Sequence, residues 1–148
     1  MPDMKSILVD TNLLVYAYDP RDKARNERAQ QVLQRLRQSR RGVMSVQSLA
    51  EFMRASQKLA MSPDEALRIV QAFALSWPIL DLTPALVLEA GRGVSQYMLA
   101  YYDAQVWAAA RLNQIGVIFS EDFNPGSILE GVRTVNPFAE EFVIEAWT

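Results

Sequence analysis

Ile7-Leu8-Val9-Asp10-Thr11-Asn12-Leu13 is the stretch on which the reading of the fold turns. A short apolar run with β-branched residues ends on an aspartate and passes directly into residues that open a helix. This pattern predicts a buried parallel strand with Asp10 at its C-terminal end. Similar runs recur at Val43 to Val46, Ile79 to Leu82 and Val117 to Phe119, with a weaker one at Val132 to Val135. Five strands are therefore expected.

The segments between them carry helical period. Ala29, Val32, Leu33 and Leu36 recur at i, i+3, i+4 and i+7 and form one stripe, flanked by Arg28 and Arg35. Ser62-Pro63-Asp64-Glu65 combines an N-cap serine, proline at the first helical position and glutamate three residues after the cap, and predicts a helix through Ala74. Thr83-Pro84 opens another in the same way. Asp103 to Asn113 predicts a further helix, stopped at Gly116. Strands alternating with helices imply a parallel sheet covered on both faces, and right-handed crossovers bring the strands' C-terminal ends to one edge, where ligands bind. Neither a repeat nor a linker divides the 148 residues, so residues 1–148 are read as one domain.

Composition narrows the chemistry. With no cysteine there are no disulfides, no thiolate-bound zinc and no thiol nucleophile. With no histidine, the commonest general base and any imidazole-bound metal are excluded too. Catalysis, if present, falls to carboxylates. No apolar stretch approaches the roughly 18 to 20 residues that a membrane span needs. The segment Met1 to Val9 lacks the apolar core of a signal peptide, which points to a cytoplasmic protein. The net charge of −2 is unevenly spread: residues 21–41 carry +6, whereas the chain from Glu121 onward carries −5. The basic segment offers a track for phosphates through Arg28 and Arg35, and also reads as a solvated helix face.

Four acids then stand out. Asp10 and Asp122 follow strands, Asp103 opens a helix, and Glu51 lies about one turn into a helix beginning near Ser48. Each has a structural explanation. Asp10 and Asp103 suit helix N-caps, Ser48 with Glu51 matches a capping box, and Asp122 suits a turn before Asn124-Pro125-Gly126. In combination at one sheet edge, with no lysine after Lys58 to offset them, they call for a hard divalent cation.

At this point the motifs resemble those of the PIN domain, and within it the VapC-type toxins of toxin-antitoxin pairs. Val9-Asp10-Thr11-Asn12 resembles the opening motif and Ser48-Leu49-Ala50-Glu51-Phe52 the second acidic site. Tyr102-Asp103-Ala104 with Trp107-Ala108-Ala109-Ala110 resembles the third. Ser120-Glu121-Asp122-Phe123, followed by Gly126 and by Val135-Asn136-Pro137-Phe138, resembles the fourth site and closing strand. The resemblance implies a single PIN-like domain over residues 1–148, an α/β/α sandwich on a central five-stranded parallel sheet. It also implies an Mg²⁺- or Mn²⁺-dependent endoribonuclease, a homodimer, and an antitoxin partner that inserts into and blocks the acidic cleft.

On that reading Asp10, Glu51, Asp103 and Asp122 are catalytic. Asp10, Asp103 and Asp122 hold metal for in-line hydrolysis that leaves 5′-phosphate and 3′-hydroxyl ends. Thr11, Asn12, Ser120 and Glu121 support them by hydrogen bonds, and Glu121 competes with Asp122 as the fourth acid. Arg28, Arg35, Tyr101 and Tyr102 are candidate RNA contacts, whereas Trp107 reads as core. Two alternatives stand beside this. One is a non-catalytic RNA- or protein-binding module on the same fold. The other is an Mg²⁺-dependent phosphotransfer domain, which the missing late lysine and the lack of a second aspartate in Asp10-Thr11-Asn12 count against.

Overall fold

The computed structural model describes residues 6–123 and 126–148. The start of the segment Met1 to Val9 and two residues of the expected turn, Asn124 and Pro125, lie outside the described residues. Among the described residues six strands form one sheet: β1 (Ile7–Val9), β2 (Gly42–Ser45), β3 (Ile79–Leu80), β4 (Val117–Phe119), β5 (Ile128–Leu129) and β6 (Val132–Val135). Their order is β3-β2-β1-β4-β6-β5. The five expected strands are all parallel neighbours, with Val9 opposite Phe119 and Leu8 opposite Val43. The sixth, β5, is antiparallel to β6 and was not expected. It is two residues long and exists through a tight turn in which Glu130 and Gly131 both take positive φ, a geometry that suits a hairpin.

The described residues also form six α-helices that cover the sheet: α1 (Thr11–Ala17), α2 (Lys23–Ser39), α3 (Val46–Ala55), α4 (Pro63–Ser76), α5 (Pro84–Tyr97) and α6 (Tyr101–Leu112). Period-2 alternation along β1 divides the core. Ile7 and Val9 pack with Leu13, Val32, Leu36, Phe52 and Trp77 on one face. Leu8 packs with Leu86, Ala90, Trp107 and Ile118 on the other. The result is an α/β/α sandwich. Trp107 is fully buried and its indole N–H donates to the Leu129 carbonyl at 3.1 Å, so this ring also ties α6 to the short strand β5. Among the described residues no helix is long and apolar enough to cross a membrane.

The capping signals hold at α4 and α5, where the Ser62 and Thr83 side chains accept from the backbone N–H groups of Glu65 and Leu86. They differ elsewhere. The helix carrying Glu51 starts at Val46, and its cap is Ser45, which accepts from the Ser48 N–H. Ser48 is inside the helix, so no capping box involves Glu51. Asp103 sits in the first turn of α6 behind Ala100, whose side chain caps nothing. Helix α6 ends at Leu112, within one residue of the expected Asn113, and the chain leaves the helix before Gly116: Gln114 takes φ 55° and Ile115 donates back to the Ala110 carbonyl.

The basic helix α2 is committed to the C-terminal segment. Arg28 donates to the Pro137 carbonyl at 2.7 Å and lies over the Phe142 ring, while Arg35 donates to Thr148 and faces Glu145. The expected phosphate track through Arg28 and Arg35 is not supported, since both guanidiniums are occupied in closing the fold. Phe138, Phe142 and Trp147 pack against the core, whereas Val143 stays exposed.

Candidate active site

Parallel pairing of β1 with β4 places the chain just after each strand side by side, so Asp10 and Ser120 meet at the sheet's C-terminal edge. Asp10 is the N-cap of α1, its Oδ1 accepting from the Thr11 N–H at 2.7 Å. Its Oδ2 accepts from the Ser120 hydroxyl, also at 2.7 Å. Capping and site membership are thus one arrangement. Asp10 is buried, and that burial pushes its carboxyl up to about 6, against the lowering effect of the Ser120 and Thr11 hydrogen bonds. Glu51 and Asp103 add further upward pressure.

The other acids arrive from different elements. Glu51, one turn and a half into α3, has Oε1 accepting from the Thr11 hydroxyl at 2.9 Å and from the Gln47 amide at 3.0 Å. Gln47 is in turn held by Gln105, whose amide donates to Gln47 Oε1 at 2.8 Å. Because Gln105 lies two residues beyond Asp103, this relay couples the helix bearing Asp103 to the one bearing Glu51. Burial raises the Asp103 carboxyl, and the charges on Asp122 and Glu51 raise it further.

Asp122 follows β4, its Oδ2 receiving the Asn12 amide at 3.4 Å and its own N–H donating to Ser120 Oγ at 3.3 Å. Asp10, Glu51, Asp103 and Asp122 all line one cleft of about 430 Å³ with Thr11, Asn12 and Tyr102. Among the described residues no lysine or arginine lines it.

Glu121 points elsewhere. Arg25 pairs with its Oε2 at 2.6 Å and 2.7 Å, and the Tyr16 hydroxyl donates to its Oε1 at 3.1 Å. The competition between Glu121 and Asp122 is therefore decided for proximity: Asp122 faces the cleft and Glu121 buttresses its wall. Ser120, Thr11 and Asn12 all contact the acids. Tyr102 lies on the cleft's rim, edge-on to Tyr101 at 5.4 Å, and Tyr101 is outside the lining.

Two polar cleft residues, Gln47 and Asp19, were not anticipated. Gln47 is four residues before Glu51 and so on the same helix face, a spacing that a search for i,i+4 partners would have found. Asp19 also lines the cleft, but Arg21 grips it with two hydrogen bonds at 2.8 Å and 2.9 Å and holds its carboxyl below the ordinary range. It brings no unpaired charge.

The donor set suits a hard divalent ion. Two carboxyls raised by burial and mutual repulsion lack a counter-charge, and a buried oxygen, Asn12 Oδ1, has no hydrogen-bond partner. The Asn12 amide orientation is set by its donation to Asp122, which as a carboxylate only accepts. Among the described residues no three acids already stand at chelating distance. An ion that keeps part of its water shell, as Mg²⁺ does, fits such a spread-out set better than one that demands a full protein cage.

Comparison with known proteins agrees with this architecture. A toxin-antitoxin complex from Klebsiella pneumoniae superposes with TM-score 0.66 at 20% identity, covering 89% of this chain and 98% of that one. The Mycobacterium tuberculosis VapC20, a Sarcin-Ricin loop cleaving toxin, gives TM-score 0.66 at 23% identity over 86% of this chain and 99% of that one. DNA-bound VapBC from Salmonella typhimurium gives 0.65 at 17%, covering 89% and 98%. No curated protein matches the chain. The PIN domain family model matches residues 7–125, an interval that runs from β1 past Asp122 and so contains all four cleft acids. The order of acids along the sequence, the sheet that gathers them and this match lead to one assignment: the chain belongs to the PIN domain family.

Proposed function

We propose that the chain is a divalent-metal-dependent endoribonuclease and the toxin of a toxin-antitoxin pair, hydrolysing RNA phosphodiesters in the acidic cleft. The observation that carries this reading is the meeting of Asp10, Glu51, Asp103 and Asp122, from four elements, in one cleft with no lysine or arginine among the described residues of its lining. Structural likeness to toxin-antitoxin complexes and to a Sarcin-Ricin loop cleaving toxin supports the choice of RNA and of the toxin role.

Asp10, Asp103 and Asp122 would hold the ion, directly or through water. When bound, Mg²⁺ or Mn²⁺ supplies Lewis acidity to water and to the scissile phosphate. The chain's own contribution is positional. Ser120 and the Thr11 N–H fix both oxygens of Asp10, so the carboxylate meets an incoming ligand in one orientation. Thr11 and Gln47 both donate to Glu51 Oε1, which leaves Oε2 to accept a proton or a hydrogen bond from water. With no histidine in the chain, carboxylates are the available proton acceptors.

The same reading brings a cognate antitoxin that covers the cleft, a homodimer and action in the cytoplasm. Induced expression of wild type is expected to arrest growth, and the purified protein to cut RNA only with Mg²⁺ or Mn²⁺, leaving 5′-phosphate and 3′-hydroxyl ends. Asp10→Asn is expected to abolish both effects. Equal behaviour of wild type and Asp10→Asn, or cyclic phosphate ends formed without metal, would overturn the proposal.

A further inference from the structure

A second depression, of about 520 Å³, opens beside the acidic cleft and shares Gln47, Glu51 and Tyr102 with it. One face of α3, extended by the 3-10 turn Ser56–Leu59, forms its floor: Val46, Ala50, Arg54 and Lys58 follow one another at intervals of four residues. Arg54 and Lys58 are exposed, and among the described residues they are the only cations lining either depression. Neither has a carboxylate partner among the described residues, a state they share with the surface cations Lys23, Arg37, Arg40 and Arg68, none of which lines either depression. The helix dipole favours a basic residue near a helix C-terminus. It does not explain two unpaired cations on a groove that runs into an acidic cleft. From Glu51 they lie roughly 5 Å and roughly 12 Å further along the helix axis. The exposed Tyr102 ring stands where the two depressions join, and the exposed Leu82 side chain gives the groove an apolar wall.

We infer that this groove carries the RNA strand away from the cleft, with Arg54 and Lys58 binding backbone phosphates on one side of the scissile bond and Tyr102 stacking against a base at the junction. The inference rests on the ribonuclease reading and extends it to a strand path and a polarity along α3. Phosphate contacts of this kind position a strand without reading its sequence. The aromatic face accepts any base. An acidic protein segment is the competing occupant. It is disfavoured because the groove opens directly onto unpaired carboxylates, which a metal-bridged phosphate tolerates and a peptide carboxylate does not.

The test measures binding of a short fluorescent single-stranded RNA to the full chain carrying Asp10→Asn, in Mg²⁺, as a function of salt. Adding Arg54→Ala and Lys58→Ala together is expected to flatten the slope of log K against log salt by about 1.4, the value for two phosphate contacts on a single strand. Arg54→Lys with Lys58→Arg is expected to keep the slope, since only charge is required. Arg37→Ala with Arg40→Ala, near the C-terminal end of α2, is the charge-matched control and is expected to leave it unchanged. In the active protein the Arg54/Lys58 double variant should raise KM with little change in kcat. An unchanged slope in a protein that still cleaves RNA, or an equal loss in the control, overturns the groove assignment and leaves the ribonuclease standing. Loss of affinity for polyglutamate but not for RNA in the double variant assigns the groove to a protein partner and overturns it too. Wild type that neither binds nor cuts RNA removes both proposals.

Discussion

The Ser120 hydroxyl donates to Asp10 Oδ2 at 2.7 Å, bridging the residues that follow the adjacent strands β4 and β1. The same oxygen accepts from the Asn12 amide and from the N–H groups of Asp122 and Phe123. One small side chain thus sets the orientation of Asp10, Asn12 and the segment bearing Asp122. Replacing it with alanine leaves a buried carboxylate oxygen without its donor, a loss of about 1–3 kcal/mol. Ser120→Ala is expected to lower the urea midpoint at neutral pH and to push the Asp10 carboxyl above its present value, read by carboxyl-carbon NMR titration.

Asp10 itself makes the metal-free fold pH-sensitive. Its carboxyl titrates at about 6 in the folded state against 3.8 for an ordinary aspartate. Between those values the folded chain holds more protons than the unfolded one, so stability falls as pH rises and the full cost is present above the folded value. That cost is on the order of 3 kcal/mol. In EDTA, Asp10→Asn is therefore expected to melt higher than wild type well above pH 6, with the difference disappearing below about pH 4. Mg²⁺ should stabilise wild type but not the variant. Thermal melts across pH, with and without Mg²⁺, check both.

The Gln105–Gln47–Glu51 relay offers a way to disturb the centre without touching an acid. Gln105→Leu leaves Gln47 Oε1 without its donor and frees the amide that orients Glu51. A loss of roughly 10- to 100-fold in activity or metal affinity is expected, the usual effect of removing a supporting hydrogen bond. A Mg²⁺ titration followed by calorimetry separates this from simple unfolding, and Gln105→Glu is expected to do worse by adding charge near Glu51.

The Arg25–Glu121 pair distinguishes two adjacent acids. Glu121→Gln is expected to cut RNA at nearly the wild-type rate with a small loss of stability, about 1 kcal/mol or less for a partly exposed ion pair. Asp122→Asn is expected to abolish most cleavage at unchanged stability. Side-by-side cleavage rates and melts decide between them, and the reverse pattern would exchange their roles.

Away from the site, Gly42 packs against Trp77. A Cβ at position 42 would fall 2.2 Å from the indole ring, a distance that only displacement of the ring or of β2 can relieve. Gly42→Ala is expected to destabilise by roughly 1–3 kcal/mol, visible as a lower thermal midpoint and altered tryptophan fluorescence.

What the sequence determined by itself was whatever depends on neighbours in the chain. The apolar runs of β1 and β4, the buried stripe of α2 and the caps at Ser62 and Thr83 are local patterns, and each stands where periodicity and capping chemistry put it. The absence of histidine and cysteine likewise needed no structure to turn attention to carboxylates.

Only the tertiary structure decided the rest, because those features rest on partners far apart in sequence. Motif register favours Asp122 but leaves Glu121 competing beside it, and it is Arg25, 96 residues earlier, that draws Glu121 away from the cleft. Arg28 and Arg35 read as an open basic face until the C-terminal segment closes over them. Ser48 read as a cap in the sequence, and the end of β2 at Ser45 gives that role to Ser45 instead. The strand β5 is too short to carry a pattern and is held by its pairing to β6. Asp10 was legible as a strand-end acid, but its raised carboxyl arises from burial among groups that only the closed sandwich assembles.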